Sequence, residues 1–365
     1  MRVLVVNAGS SSLKLSLLGS DDRLLADREL DAPNGQTDAG ALESFIAGLQ
    51  QIDAVGHRVV HGGERFREAV LIDKDVEADL QALSDLAPLH QAKSLFALDT
   101  VSRILPSVPA VACFDTAFHA TMAPSAFTYA LPAEWRERWT LRKYGFHGLS
   151  HAYASSRAVE LLGTERARLV TCHLGAGASL AAVRDGRSVD TTMGFTPLDG
   201  LVMATRSGSV DPGLVLWLLE HARLKEPELK EALEHESGLL ALAGTADMRE
   251  VVRRREEGDA RGTLAFDVYV YRLRGQIATM AAAMGGLDAL VFTGGVGERS
   301  AAVRENACLG LRFLGVALDG AANSEGTGDR EIGDPDSGTR VLVVRAREDL
   351  EIARQVREAL GSPTQ

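Results

Sequence analysis

Two apolar runs open the chain. Residues 3–6 (VLVV) are apolar without interruption, and residues 13–17 alternate, with Leu13, Leu15 and Leu17 on one face and Lys14 and Ser16 on the other. A continuous run reads as a strand buried on both faces and alternation as a half-buried one, so the spacing predicts a hairpin. Further strands are predicted in IDAVGHRVV (52–60), which runs into glycines, and in VPAVACF (108–114), which delivers Asp115 at its end. Residues 75–105 carry helical spacing interrupted at Pro88, which predicts helix, break, helix. Around residue 120 the texture turns to ATMAPSAFTYALPAEW, rich in turn formers, and the domain boundary is placed there. Residues 1–118 with 349–365 are expected to form an N-terminal domain completed by the closing helix, and 119–348 a second domain. Beyond the boundary the opening pattern returns in RLVTCHLGAGASLAAVRDGRSVDTT: strand, small-residue turn, alternating strand. Residues 263–286 predict a long helix, 288–311 strand, glycine loop and helix, 323–338 a polar loop, and 339–360 a last strand and a closing helix. Hairpins followed by helices, given twice, predict an α/β chain of two similar halves.

Composition narrows the classes. A length of 365 residues suffices for two cores, and 45% hydrophobic content is that of a globular chain. The net charge of −11 argues against a nucleic-acid partner, although cations gathered in one cleft can still bind phosphate. Cys113, Cys172 and Cys308 are odd in number and read as small buried hydrophobes of a reducing compartment. The longest greasy stretch, 277–292, contains Asp288 and a glycine pair, so it reads as helix end plus strand rather than a membrane span. Few apolar residues follow Met1-Arg2, so no signal peptide is read and a cytoplasmic protein without membrane contact is expected.

The opening turn joins Asn7, Gly9, Ser10, Ser11, Ser12 and Lys14. A tight turn exposes backbone N–H groups, a glycine admits an anion, and hydroxyls, an amide and an ammonium add donors, a set that suits phosphate. Taken alone it is as readable as a polar surface hairpin. The second turn, HLGAGAS, offers a matching small-residue grip, and TGGVGERS follows a predicted strand and precedes a predicted helix, as a nucleotide site requires. The spacings of the dinucleotide fingerprint and the P-loop are absent, as are the short zinc-ligand motifs. Arg58 and Arg206 are flanked by small residues that leave a guanidinium room, and His147 sits between Phe146 and Gly148. Cations and a histidine beside phosphate turns fit phosphoryl transfer.

The ordered segments NAGSSSLK, GHRVVHGGE, FDTAFH, YGFHGLSH, TPLDGLVMATRSGSVDPG, GTADMR and FTGGVGERS resemble the acetate kinase family along nearly the whole chain. The resemblance implies two duplicated actin-like (ribonuclease H-like) ATPase domains with a nucleotide cleft between them. It also implies a homodimer, and the reaction of ATP with acetate to give ADP and acetyl phosphate with Mg²⁺, for which Mn²⁺ is a possible substitute. Under it Asn7, Ser10, Ser12 and Lys14 hold distal phosphates, with His173, Gly175 and Gly177 along the phosphate path. Arg58 and Arg206 clamp substrate carboxylate and phosphoryl group, Asp115 orients an arginine and helps position Mg²⁺, and His147 hydrogen-bonds the moving group. Asn7 and Glu348 serve the metal. Asp247, Met248 and Arg249, with Gly295, Val296 and Gly297, hold adenosine, and Val60, Leu89, Phe146 and Pro197 wall a pocket for the acyl methyl.

Three departures stand out against the family pattern. Ala176 stands where HLGNG has asparagine, His90-Gln91-Ala92 where the family has His-Asn-Pro, and the segment before GHRVVHGGE is short. The first predicts slowed turnover, the second bears on the acyl pocket and the third on dimer or lid. Rival readings are a kinase for propionate or another small acid, a weakly active nucleotide-binding regulator and a partner-moving ATPase. A partner-driven ATPase needs no acid-binding clamp.

Overall fold

The computed structural model describes residues 1–9, 12–31, 38–83, 88–164 and 166–361, with residues 88–92 in their backbone alone. The chain divides into two units. Unit 1 is Met1–Ala120, Phe146–Tyr153 and Arg347–Gln365, and unit 2 is Thr121–Gly145 and Ala154–Ala346.

Each unit is built on one six-stranded mixed sheet. In unit 1, β1 (Val3–Ala8) pairs antiparallel with β2 (Ser12–Leu18), and β2 with β3 (Leu24–Asp31). The other edge of β1 is parallel to β4 (Ala54–Val59). The short β5 (Val70–Leu71) pairs antiparallel with β6 (Ala110–Phe114), which is parallel to β4. Unit 2 repeats this with β7 (Arg168–Leu174), β8 (Ala178–Arg184), β9 (Arg187–Thr191), β10 (Ala289–Thr293), β11 (Arg330–Glu331) and β12 (Arg340–Val343). The orders β3-β2-β1-β4-β6-β5 and β9-β8-β7-β10-β12-β11 match strand for strand, and so does the sense of every pairing. The two duplicated α/β halves expected from the sequence are therefore present.

Burial explains why the central strands were legible. Val3, Leu4, Val5 and Val6 are each at most 1% exposed, because strands flank both edges of β1 and helices cover both its faces. One face of the unit 1 sheet (Leu4, Val6, Leu15, Val55) packs on Leu42 and Ile46 of helix Ala39–Ala47 and on Ala97 and Val101 of helix Pro88–Ile104. The opposite face (Val3, Val5, Val111, Cys113) packs on Ile352, Ala353 and Val356 of the closing helix Glu348–Ala359. Burying each such side chain stabilises the unit by about 1.5–3 kcal/mol. All three cysteines are free and buried, as expected. The long helix of unit 2, Ala260–Met284, buries Phe266, Tyr269, Val270, Leu273, Ile277, Met280 and Met284 at helical spacing.

The helix, break, helix expected around Pro88 is present: helix Lys74–Ala82 is followed by helix Pro88–Ile104, which Pro88 opens at a position where its missing N–H costs nothing. Elsewhere the structure departs from the expectations. β3 went unread because it lies at the sheet edge and only Leu30 of its eight residues is buried, so no alternation marks it. The polar stretch 323–338 contains β11, two residues long. The glycine run is helical from Gly294 to Arg299, and Gly294 itself turns the chain at φ +78°. A side chain at Gly294 would press within 2.8 Å of the Leu174 carbonyl oxygen. Among the described residues no helix is long and apolar enough to cross a membrane.

Candidate functional site

In unit 1 the ends of β1, β4 and β6 and the start of the closing helix bring four predicted residues into one hydrogen-bonded chain. Asp115 follows β6 directly and is 1% exposed. Its carboxylate accepts from Arg58 on β4, from Nε at 3.1 and 3.2 Å and from Nη2 at 2.7 Å. Arg58 Nη1 donates to the Asn7 side-chain oxygen at 3.1 Å, and Asn7 Nδ2 donates to Glu348 at 2.7 Å. Burial opposes the charge on Arg58, but Asp115 and Glu348 outweigh it and hold the guanidinium above its usual range. Four side chains from positions 7, 58, 115 and 348 thus fix one another. Their donors and acceptors are charge-assisted, which favours a single geometry.

Lys14 lies directly opposite Asn7 in the hairpin register, so both project on the same face. The structure gives this face a partner the sequence did not suggest: Ser12 Oγ donates to Glu29 of β3 at 2.6 Å, and Lys14 is 4.0 Å from the same carboxylate. Lys14 is largely exposed. Ser10 lies outside the described residues, as does the Leu89 side chain. Val60 and Phe146 are buried in unit 1, and Pro197 belongs to unit 2.

His147 is half-buried and adopts a left-handed backbone at φ +58°. For a residue with a Cβ this costs about 1–2 kcal/mol. The next residue must be glycine: Gly148 N–H donates to the Asp115 carbonyl at 2.9 Å, and a Cβ there would collide with that same oxygen. Glycine therefore lets helix Gly148–Leu162 start against the Asp115 backbone.

In unit 2 the turn between β7 and β8 is closed by Gly175 N–H donating to Gly177 O at 2.9 Å, with His173 at the end of β7. Ala176 is exposed at the tip, and its carbonyl accepts from Ala204 N–H at 3.1 Å. That contact ties the turn to the segment carrying Arg206. Residues 203–207 are strapped in turn by backbone bonds from Ser237, Leu239 and Leu240. Arg206 Nη1 donates to Pro197 O at 3.3 Å, and burial lowers its affinity for its proton. Glu234 opposes that shift, and any further anion beside the guanidinium would oppose it in the same sense.

Asp247 caps helix Met248–Glu256 and pairs with the exposed Arg249 at 2.6 Å. Met248 is buried, whereas a side chain at Gly295 would meet nothing within 4 Å. Gly297 and Glu298 carbonyls accept from Arg304, which is 1% exposed and escaped sequence reading because a lone arginine on an apolar-spaced helix carries no local signal.

No group of three His, Cys, Asp or Glu side chains gathers as a metal cage among the described residues. Mg²⁺ does not require one. It takes one or two carboxylates and completes its shell with water and phosphate oxygens, a demand that Glu348, oriented by Asn7, fits.

A profile of the Acetokinase family matches residues 38–354. The acetate kinase of Thermotoga maritima is 43% identical over 398 aligned positions, covering 98% of each chain. The crystal structure of Porphyromonas gingivalis acetate kinase superposes with a TM-score of 0.91 at 38% identity, covering 98% of this chain and 99% of that one. A propionate kinase from Francisella tularensis gives 0.90 at 36% identity with the same coverage.

Proposed function

The chain belongs to the Acetokinase family, and from that premise we propose that it transfers a phosphoryl group from ATP to acetate, giving ADP and acetyl phosphate. The observation that carries the reading is the Asp115–Arg58–Asn7–Glu348 chain, which sets a cation beside a metal-capable carboxylate. A carboxylate is already a competent nucleophile at neutral pH, so no general base is needed. Chemistry of this kind rests on positioning and charge neutralisation.

Arg58 and Arg206 clamp the acid and the moving phosphoryl group, and His147 donates a hydrogen bond to that group. Asn7, Ser10, Ser12, Lys14 and the His173–Gly177 turn line the phosphate path. Asp247, Met248, Arg249 and Gly295 to Gly297 hold the nucleoside; Arg249 does so with its guanidinium and Met248 through its backbone, since its side chain is core. Mg²⁺, held by Glu348 with Asn7 as its orienting neighbour, supplies neutralising charge to the phosphates. Val60, Leu89, Phe146 and Pro197 confine the acyl group.

The protein is a cytoplasmic homodimer in this reading. Its dimer face includes helix Pro212–Glu220, which buries none of its residues and exposes Leu214 (47%), Leu216 (58%) and Trp217 (52%). Propionate as preferred acid is the second reading, favoured by the likeness to the Francisella tularensis enzyme. ADP release with and without acetate at saturating Mg²⁺ tests the function: at least a hundredfold stimulation by the acid is expected, and ATP hydrolysis indifferent to acetate would refute it.

A further inference from the structure

His119 takes no part in the chemistry just described, yet it is fully buried one turn beyond Asp115, in the 3₁₀ segment Ala117–Thr121. Its Nε2 lies 3.1 Å from the carbonyl oxygen of Phe146, the residue immediately before His147. A carbonyl only accepts, so this contact requires the proton on Nε2. The ring is held edge-on between Phe118 at 5.6 Å and His151 at 5.7 Å. On the other side of His147, Gly148 N–H donates to Asp115 O, and the His147 carbonyl accepts from His151 N–H at 3.0 Å. The left-handed His147 is therefore pinned from both flanks by one short segment, residues 115–119.

We infer that His119 is a positioning residue: its Nε2–H bond to Phe146 O holds His147 in the left-handed conformation from which it reaches the transferred phosphoryl group. The role rests on the reading of His147 given above. It gives the segment 115–119 two duties, since Asp115 at its start orients Arg58. Displacing a catalytic group by about an ångström costs up to about a hundredfold in rate.

The experiment compares His119→Phe, His119→Gln, His147→Ala and the double variant His119→Phe/His147→Ala in steady-state kinetics with ATP and acetate. His119→Phe is expected to lower kcat by roughly 10- to 100-fold, with both KM values within about threefold of wild type. His119→Gln, whose amide places a donor near the same point, should restore most of the rate. In the His147→Ala background His119→Phe should cost less than about twofold, because its effect passes through His147. The same factor in both backgrounds, as a general loss of packing would give, overturns the inference. An impaired His147→Ala beside an unimpaired His119→Phe overturns the positioning role alone. An unimpaired His147→Ala overturns the reading of His147 and the positioning role with it. Nitrogen-15 NMR of the wild-type imidazoles gives an answer that needs no variant to fold: a proton on His119 Nε2 is expected, and one on Nδ1 alone contradicts the bond.

Discussion

His57 gives a stability prediction that can be worked through. It follows β1's neighbour Gly56 on β4, is 1% exposed, and neither ring nitrogen has a partner among the described residues. Burial alone pushes its pKa down from 6.5 to about 4. The folded state therefore binds fewer protons than the unfolded state between those two values, so folding stability falls as pH falls through that window. The contribution is fully present above pH 6.5, declines steadily below it, and levels off once the folded imidazole also protonates near pH 4. At 1.36 kcal/mol per unit the loss is on the order of 3 kcal/mol. His61 is shifted the same way, to about 4, by burial, and its Nδ1 accepts from Gly63 N–H at 2.9 Å, a bond that protonation would break. His57→Leu removes one of the two titrations and an uncompensated buried polar ring. Urea unfolding at pH 7, 6, 5 and 4 should show the variant at least as stable as wild type at pH 7, and about 3 kcal/mol less sensitive to acid across the series. An identical pH slope in variant and wild type would refute the reasoning.

Three further outcomes follow from the site and a fourth from the proposed dimer face. Arg206→Ala should lower kcat by about 10³-fold, roughly 4 kcal/mol, with Arg206→Lys recovering little; steady-state kinetics within tenfold of wild type would sink the clamp assignment. Glu348→Ala should raise the Mg²⁺ concentration for half-maximal rate while metal-free nucleotide binding stays nearly intact, as read by titration calorimetry. Ala176→Asn should raise kcat a few-fold: the exposed turn tip has room for the amide, and the bond from Ala204 uses only the backbone of residue 176. A fall in kcat at unchanged stability would contradict it. Trp217→Lys should shift the mass in multi-angle light scattering from dimer to monomer, and an unchanged dimer would place the interface elsewhere.

The strands at the centre of each sheet were legible because burial on both faces leaves an uninterrupted apolar run, as in residues 3–6 and 289–292. Edges were not: β3 faces solvent along most of its length, and β5 and β11 are too short to carry a period. The same blind spot hid part of the site. Glu29 on β3 partners both Ser12 and Lys14, so an unread edge strand meant an unread carboxylate beside the opening turn. Motifs named Asn7, Arg58, Asp115 and Glu348 one at a time. That Asn7 offers its oxygen to Arg58 and its nitrogen to Glu348, 341 residues away in sequence, is a tertiary fact with no local signature. Neither could spacing reveal the left-handed His147, whose conformation is imposed by contacts made at Phe146 and Gly148.

The central claim is that the acceptor of the phosphoryl group is a small carboxylate. Trapping the product with hydroxylamine, from ATP and Mg²⁺ across unbranched acids of one to five carbons, tests it most directly. Each added methylene that fits gains up to about 0.8 kcal/mol and one that clashes loses more, so the walls proposed at Val60 and Phe146 would set a sharp limit. The account predicts acyl hydroxamate from acetate and propionate, with kcat/KM falling steeply at butyrate. Hydroxamate formation from no acid in the series, with ADP still released, would contradict it.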